Sequence, residues 1–180
     1  MIMTAILPLF PAYLLYHFFQ KQMASLSYLG FFLLGSSALL FITANKNFKP
    51  KKSTPFKDAL YIGMMQALAL VPGFSRSAAT ISGACMRGWE VEEAISFSFL
   101  LAIPTILGGQ FLETLKLLFF NPPAAASLSL TSYFTGFISS LGVGLLSIRY
   151  LFSITDKKRM RPFAWYCLII GSAAIALYYR

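Results

Sequence analysis

Five stretches of this 180-residue chain run for 17 to 22 residues without a charged side chain: Ile2–Phe19, Leu26–Ala44, Ala94–Leu112, Ser127–Ile148 and Phe163–Tyr179. A bilayer core about 30 Å thick is crossed by about 20 apolar residues in a helix, so each run is of spanning length. Hydrophobic residues make up 57% of the chain and charged residues 12%, about half the usual charged share of 25%. A soluble globule of this size cannot hide that much apolar surface behind so few charges. A soluble enzyme, a disordered tail and a nucleic-acid module are therefore excluded. The chain reads as an all-α integral membrane protein, one multi-pass domain over residues 1–180 with about five transmembrane helices.

The net charge of +9 is concentrated between these runs. Lys46, Lys49, Lys51, Lys52 and Lys57 fall in one connection, and Lys157, Lys158, Arg159 and Arg161 in another. Basic connections mark the cytoplasmic side of a membrane protein, so membrane lipids rather than nucleic acid are the expected surroundings. The lone histidine, His17, lies amid Tyr16, Phe18 and Phe19 and reads as an interfacial or packing residue.

The segment 58–88 differs from the five runs. Asp58–Val71 is apolar after its first residue, Pro72-Gly73-Phe74-Ser75-Arg76-Ser77 follows, and Ala78–Met86 is apolar again. At 1.5 Å per residue the two arms reach roughly 21 Å and roughly 13 Å; neither crosses a core of about 30 Å. The segment is either one broken spanning helix or a re-entrant hairpin. Only the hairpin leaves both basic connections on one side, which places the N-terminus in the cytoplasm and the C-terminus outside.

Non-helical backbone at membrane depth must be buried in protein or line a watery cavity, and an arginine there is a functional-site hypothesis by default. Arg76 is the only charged residue between Asp58 and Arg87. Gly73 permits the turn after Pro72. Ser77 is a candidate N-cap, which would turn the amides of Ala78, Ala79 and Thr80 toward the loop. A helix N-terminus beside a guanidinium is a ready phosphate site, and the hydroxyls of Ser75, Ser77 and Thr80 would rim it. The competing assignment makes Arg76 a structural counter-ion to Glu113 or Asp58.

The run Ile62-Gly63-Met64-Met65-Gln66-Ala67-Leu68-Ala69-Leu70-Val71-Pro72-Gly73-Phe74-Ser75-Arg76-Ser77, then Thr80-Ile81-Ser82-Gly83 and Phe97-Ser98-Phe99-Leu100-Leu101-Ala102-Ile103-Pro104, resembles the second signature of the bacitracin-resistance undecaprenyl-diphosphatase family. The resemblance implies two inverted repeats with meeting hairpin tips, in a multi-pass protein of the bacterial inner (plasma) membrane. It implies hydrolysis of undecaprenyl diphosphate to undecaprenyl phosphate, which recycles the lipid carrier of peptidoglycan synthesis and confers bacitracin resistance. The substrate would then be a polyprenyl diphosphate lipid, with Ser75 and Arg76 catalytic and Gly73, Ser75, Arg76, Ser77 and Thr80 binding it. A divalent cation, magnesium or calcium, is implied as well, although no ligand for it can be picked out in this chain. Ala78 departs from the glycine common in the family.

The resemblance covers the C-terminal two-thirds of the family and leaves out its N-terminal glutamate-rich motif. Impaired hydrolysis is therefore expected, and pairing with a second copy is one expected consequence of the face left by the absent repeat. The alternatives are a non-hydrolytic lipid-phosphate or anion binding or transport module, or an inactive truncated gene product.

Overall fold

A computed structural model describes residues 1–13, 26–45, 54–119, 129–153 and 160–179. They contain no strand, and the helices are α1 (Ile2–Ile6), α2 (Leu26–Asn45), α3 (Pro55–Leu68), α4 (Arg76–Met86), α5 (Val91–Phe119), α6 (Leu130–Ser153) and α7 (Arg161–Tyr178), with residues 9–13 helical as well. Four of these, α2, α5, α6 and α7, are long and apolar enough to cross a membrane. They coincide with four of the five expected runs, and the protein is a multi-pass, all-α membrane protein.

The first run is described only in part. Ile2–Ile6 is helical, Pro8 has no N–H to return to the preceding turn, and a short apolar helical course continues to Tyr13. His17 and most of both basic connections lie outside the described residues.

The helices divide into two compact units, one of Met1–Leu101 with Asp156–Arg180 and one of Ala102–Thr155. In the second, α6 carries Tyr133, Phe134, Phe137 and Leu141 exposed, as suits a helix whose solvent is hydrocarbon rather than water. The candidate site belongs to the first unit.

That unit is built on the pair α2 and α7. In lipid, apolar burial does not drive helices together, so small residues that let backbones approach do more of the holding. A Cβ on Gly30 would stand 2.6 Å from Ile175 Cγ1 and 2.9 Å from the carbonyl oxygen of Gly171, and one on Gly171 would meet the Gly30 carbonyl at 3.0 Å. Ser37 Oγ donates a buried 2.8 Å hydrogen bond to the Ala164 carbonyl across the same seam. Phe41 and Trp165 meet edge to face at 5.4 Å. Ser36 and Thr43 are buried in α2 and satisfy their hydroxyls on the preceding turn, at the carbonyls of Phe32 (3.1 Å) and Leu39 (2.9 Å).

The segment expected to form a hairpin is two helices, α3 and α4, packed against each other. Pro55 at the first helical position starts α3 three residues before the expected boundary; its fixed φ suits that place and its missing N–H costs nothing there. Lys57, grouped by sequence with the basic connection, is therefore an exposed residue in the first turn of α3. At the far end Gly88, with φ 89°, closes α4: its N–H donates to the Cys85 carbonyl and the Trp89 N–H to the Ala84 carbonyl. Behind the hairpin, Ala5 of α1 lies against Gly63, where any Cβ would overlap the Ala5 carbonyl.

Candidate functional site

The turn between α3 and α4 is seated on α2 by three consecutive residues. Gly73 has φ +92°, and a Cβ there would lie 2.6 Å from the Leu29 carbonyl oxygen; both facts demand glycine. The Phe74 ring lies over Gly35, 3.2 Å from where its Cβ would be. The Ser75 N–H donates to Ser36 Oγ at 2.8 Å. Small residues at positions 35 and 36 of a spanning helix thus make a notch that holds the turn. Gly35 and Ser36 were not singled out by sequence, and the Gly35-Ser36-Ser37 run inside an apolar helix was the available signal.

Ser75, not Ser77, caps α4. Its backbone is extended, with φ −74° and ψ 117°, and its Oγ accepts from the Ala78 N–H at 3.3 Å. The first intrahelical bond runs from the Ala79 N–H to the Ser75 carbonyl. The helix therefore begins two residues earlier than expected, and its opening turn is Arg76-Ser77-Ala78. The reason is the Ser36 contact, which fixes Ser75 in the extended conformation that an N-cap needs.

The expected residues are brought together on this turn with one difference. Ser75 and Ser77 hold their hydroxyl oxygens 3.4 Å apart on either side of Arg76, which is half-buried, while Ser77 is exposed. Thr80, expected on the rim, is 2% exposed. Its Oγ1 lies 2.7 Å from Ser98 Oγ of α5 and donates toward the carbonyls of Arg76 (3.0 Å) and Ser77 (3.4 Å). It forms the inner wall of the turn and ties it to α5. Ser98, within the quoted downstream run but given no role, is its partner.

Asp58 is not the counter-ion of Arg76. It sits 1% exposed at the open end of the hairpin, where Arg87 Nε and Nη2 both approach its Oδ1 at 2.6 Å. Trp89 Nε1 donates to Oδ2 at 3.3 Å and the Thr54 N–H at 3.1 Å. Burial by itself would push this carboxyl up; the hydrogen bonds from Arg87, Trp89 and Thr54, with the Arg87 charge, outweigh it and hold the group below the usual carboxylate range. The latch clamps the two arms at their base, about 15 Å from the tip along α4. Glu113, the other possible counter-ion, pairs with Lys116 at 3.8 Å. Glu90, Glu92 and Glu93 are exposed.

Among the described residues no group of three His, Cys, Asp or Glu side chains is placed to hold a metal ion. The hydroxyls at the tip surround a guanidinium and a positive helix end, which repel a cation and attract an anion. The described residues do not fit a resident magnesium or calcium ion.

This turn, with its guanidinium, hydroxyls and helix N-terminus, belongs to a chain whose similarities to known proteins are extensive. Residues 1–173 match the family described as bacitracin resistance protein BacA. The chain belongs to the BacA family. An undecaprenyl-diphosphatase from Protochlamydia amoebophila is 40% identical over 179 residues, 99% of this chain and 69% of the relative. One from Christiangramia forsetii is 34% identical, over 97% of this chain and 66% of the relative. This BacA-family chain thus spans about two thirds of the length of those two relatives. A third undecaprenyl-diphosphatase, from Methanothermobacter thermautotrophicus, is 34% identical over 88% of both chains. The expectation that a BacA-family chain of this length is an impaired or inactive product is not borne out, since a relative of comparable length bears the same name.

Proposed function

We propose that the chain is an undecaprenyl-diphosphatase whose substrate phosphate is held at the hairpin tip. The observation that carries this reading is the cap: Ser36 fixes Ser75, Ser75 starts α4, and Arg76 and Ser77 are thereby presented on a helix N-terminus set among apolar helices. A polyprenyl diphosphate suits such a place. Its chain takes the hydrocarbon environment, and its terminal phosphate takes the guanidinium, the two hydroxyls and the helix end.

In the reaction the oxygen of a water molecule bonds to the terminal phosphorus as the bond from that phosphorus to the bridging oxygen breaks. The water's protons pass to the released phosphate and to solvent, and the products are polyprenyl phosphate and inorganic phosphate. Phosphoryl transfer depends on positioning and on neutralising charge over the equatorial oxygens. Arg76 offers a planar fork for those oxygens. Ser75 Oγ already accepts the Ala78 N–H, so negative charge developing at or beside it is stabilised. Thr80 acts from behind, holding the carbonyls of Arg76 and Ser77 in place.

The proposed setting is the bacterial plasma membrane, with the N-terminus cytoplasmic and the C-terminus outside. The two lysine- and arginine-rich connections support it. Cysteines placed singly at Lys51 and Lys158 are expected to be labelled from the cytoplasmic face only; labelling from opposite faces would reverse the hairpin assignment.

The experiment for the activity is phosphate release from undecaprenyl diphosphate by the purified chain in detergent. Release is expected, and inorganic diphosphate, which lacks the polyprenyl chain, should be a poor substrate. Binding of the lipid with no phosphate released would make the protein a lipid-phosphate binding module instead.

A further inference from the structure

One buried polar side chain of the described structure breaks the pattern that the others keep. Ser36, Ser37, Thr43, Asp58, Thr80 and Ser82 are all hydrogen-bonded. Gln66 is equally buried, 1% exposed, and neither its Nε2 nor its Oε1 has a partner. A buried amide with both ends unmade is costly, and native proteins rarely keep one without a use for it. A methionine or leucine would fill the same space at no such cost.

The hairpin register shows where this amide lies. Asp58 bonds to Arg87 and the Tyr61 hydroxyl to Met86 Sδ, while Met65 Cγ is 3.0 Å from where Gly83 would carry a Cβ. The two arms run antiparallel, and the Ile62 Cα also lies 3.9 Å from that Gly83 point. One helical turn further along each arm, Gln66 stands about level with Ala79 and Thr80, the latter the inner wall of the proposed phosphate site. Gln66 also follows by one helical turn both Ile62, beside Gly83 of α4, and Gly63, which lies against Ala5 of α1. It stands in the seam behind the tip, three residues before Ala69 ends the helix.

We infer that Gln66 is a further ligand of this site, a positioning residue whose carboxamide is completed only in the phosphate-bound state. Its N–H donates to a phosphoryl oxygen or to a water carried on that oxygen, and its carbonyl accepts from the same water. The inference rests on the reading of the tip as a phosphate site. The unmade hydrogen bonds are strain stored in the empty protein and released on binding, which is how such groups persist at functional sites.

The test uses Gln66→Met, which keeps the volume and removes the amide. Thermal unfolding is measured with and without undecaprenyl diphosphate, alongside phosphate release at several substrate concentrations. The variant is expected to unfold at or above the parent's midpoint without lipid. With lipid it should lose most of the upward shift that a bound ligand confers, and release should fall by about tenfold or more with KM raised. A lower midpoint without lipid, up to failure to fold, would show that the amide is bonded within the protein and overturn the inference. So would a parent-like midpoint with release reduced by less than about tenfold. If the parent itself neither shifts nor releases phosphate, the reading of the tip fails and takes this inference with it. If the parent responds and Gln66→Met responds equally, this inference alone fails.

Discussion

Arg76→Ala should lower phosphate release from undecaprenyl diphosphate by about 10²–10³-fold, the loss usual when one preorganised donor to a developing oxyanion is removed. The effect is expected to be this large because the same turn offers no second cation: the next arginine, Arg87, is engaged with Asp58 at the opposite end of α4. Arg76→Lys keeps the charge and loses the planar fork, so its activity should fall between alanine and the parent. Lys52→Ala, in the basic connection, should leave release unchanged. The measurement is initial-rate phosphate release by the three variants at matched protein and lipid concentrations. Equal losses from Arg76→Ala and Lys52→Ala would point to general attraction between a basic protein and an acidic lipid.

Arg87→Ala should produce the largest loss of stability, approaching the roughly 3–5 kcal/mol of a broken buried ion pair, because Asp58 stays buried although Arg87 itself is partly exposed. The hydrogen bonds to Asp58 from Trp89 Nε1 and Thr54 would remain, but without the Arg87 charge. Changing both members, Asp58→Leu with Arg87→Met, should recover much of that loss, because no charge is left behind. The sign of the pH response follows from the same latch. The Asp58 carboxyl titrates lower in the folded protein than in the unfolded chain, so the unfolded state binds more protons between the two values. Its contribution is therefore fully present above the ordinary carboxylate pKa of about 3.9 and is lost as pH falls through the lower folded value. Thermal midpoints measured as pH falls below about 4 should fall less steeply in the double variant than in the parent. A parent midpoint that rises on acidification would contradict the latch.

Much of this was legible in the chain because the bilayer reduces the folding problem to length and charge. Runs of spanning length set α2, α5, α6 and α7, and the shortness of two apolar arms around Pro72-Gly73 separated the hairpin from the spans. The starting point of α4 was not legible. Ser75 and Ser77 are equally good caps by type, and the choice is made by Ser36, 39 residues away, through a tertiary contact that local pattern cannot show. The same limit explains Thr80, which sequence put on the rim and the fold turns toward Ser98. It also explains Asp58, read as a possible counter-ion of Arg76, whose partner Arg87 becomes a neighbour once the hairpin closes. Gln66 sat inside a quoted signature with no role attached, since an unpaired amide is visible only after its surroundings are known.

The central claim is that the tip formed by Gly73, Ser75, Arg76 and Ser77 receives the phosphate of a polyprenyl diphosphate. It is tested most directly by photo-crosslinking the purified chain with undecaprenyl diphosphate carrying a photoreactive group on its terminal phosphate, followed by peptide mapping. The account predicts adducts within residues 73–77 or on the facing stretch of α2 near Ser36, competed by unlabelled lipid and lost in Arg76→Ala. Adducts confined to the basic connections, at Lys46–Lys57 or Lys157–Arg161, and unaffected by Arg76→Ala would contradict it.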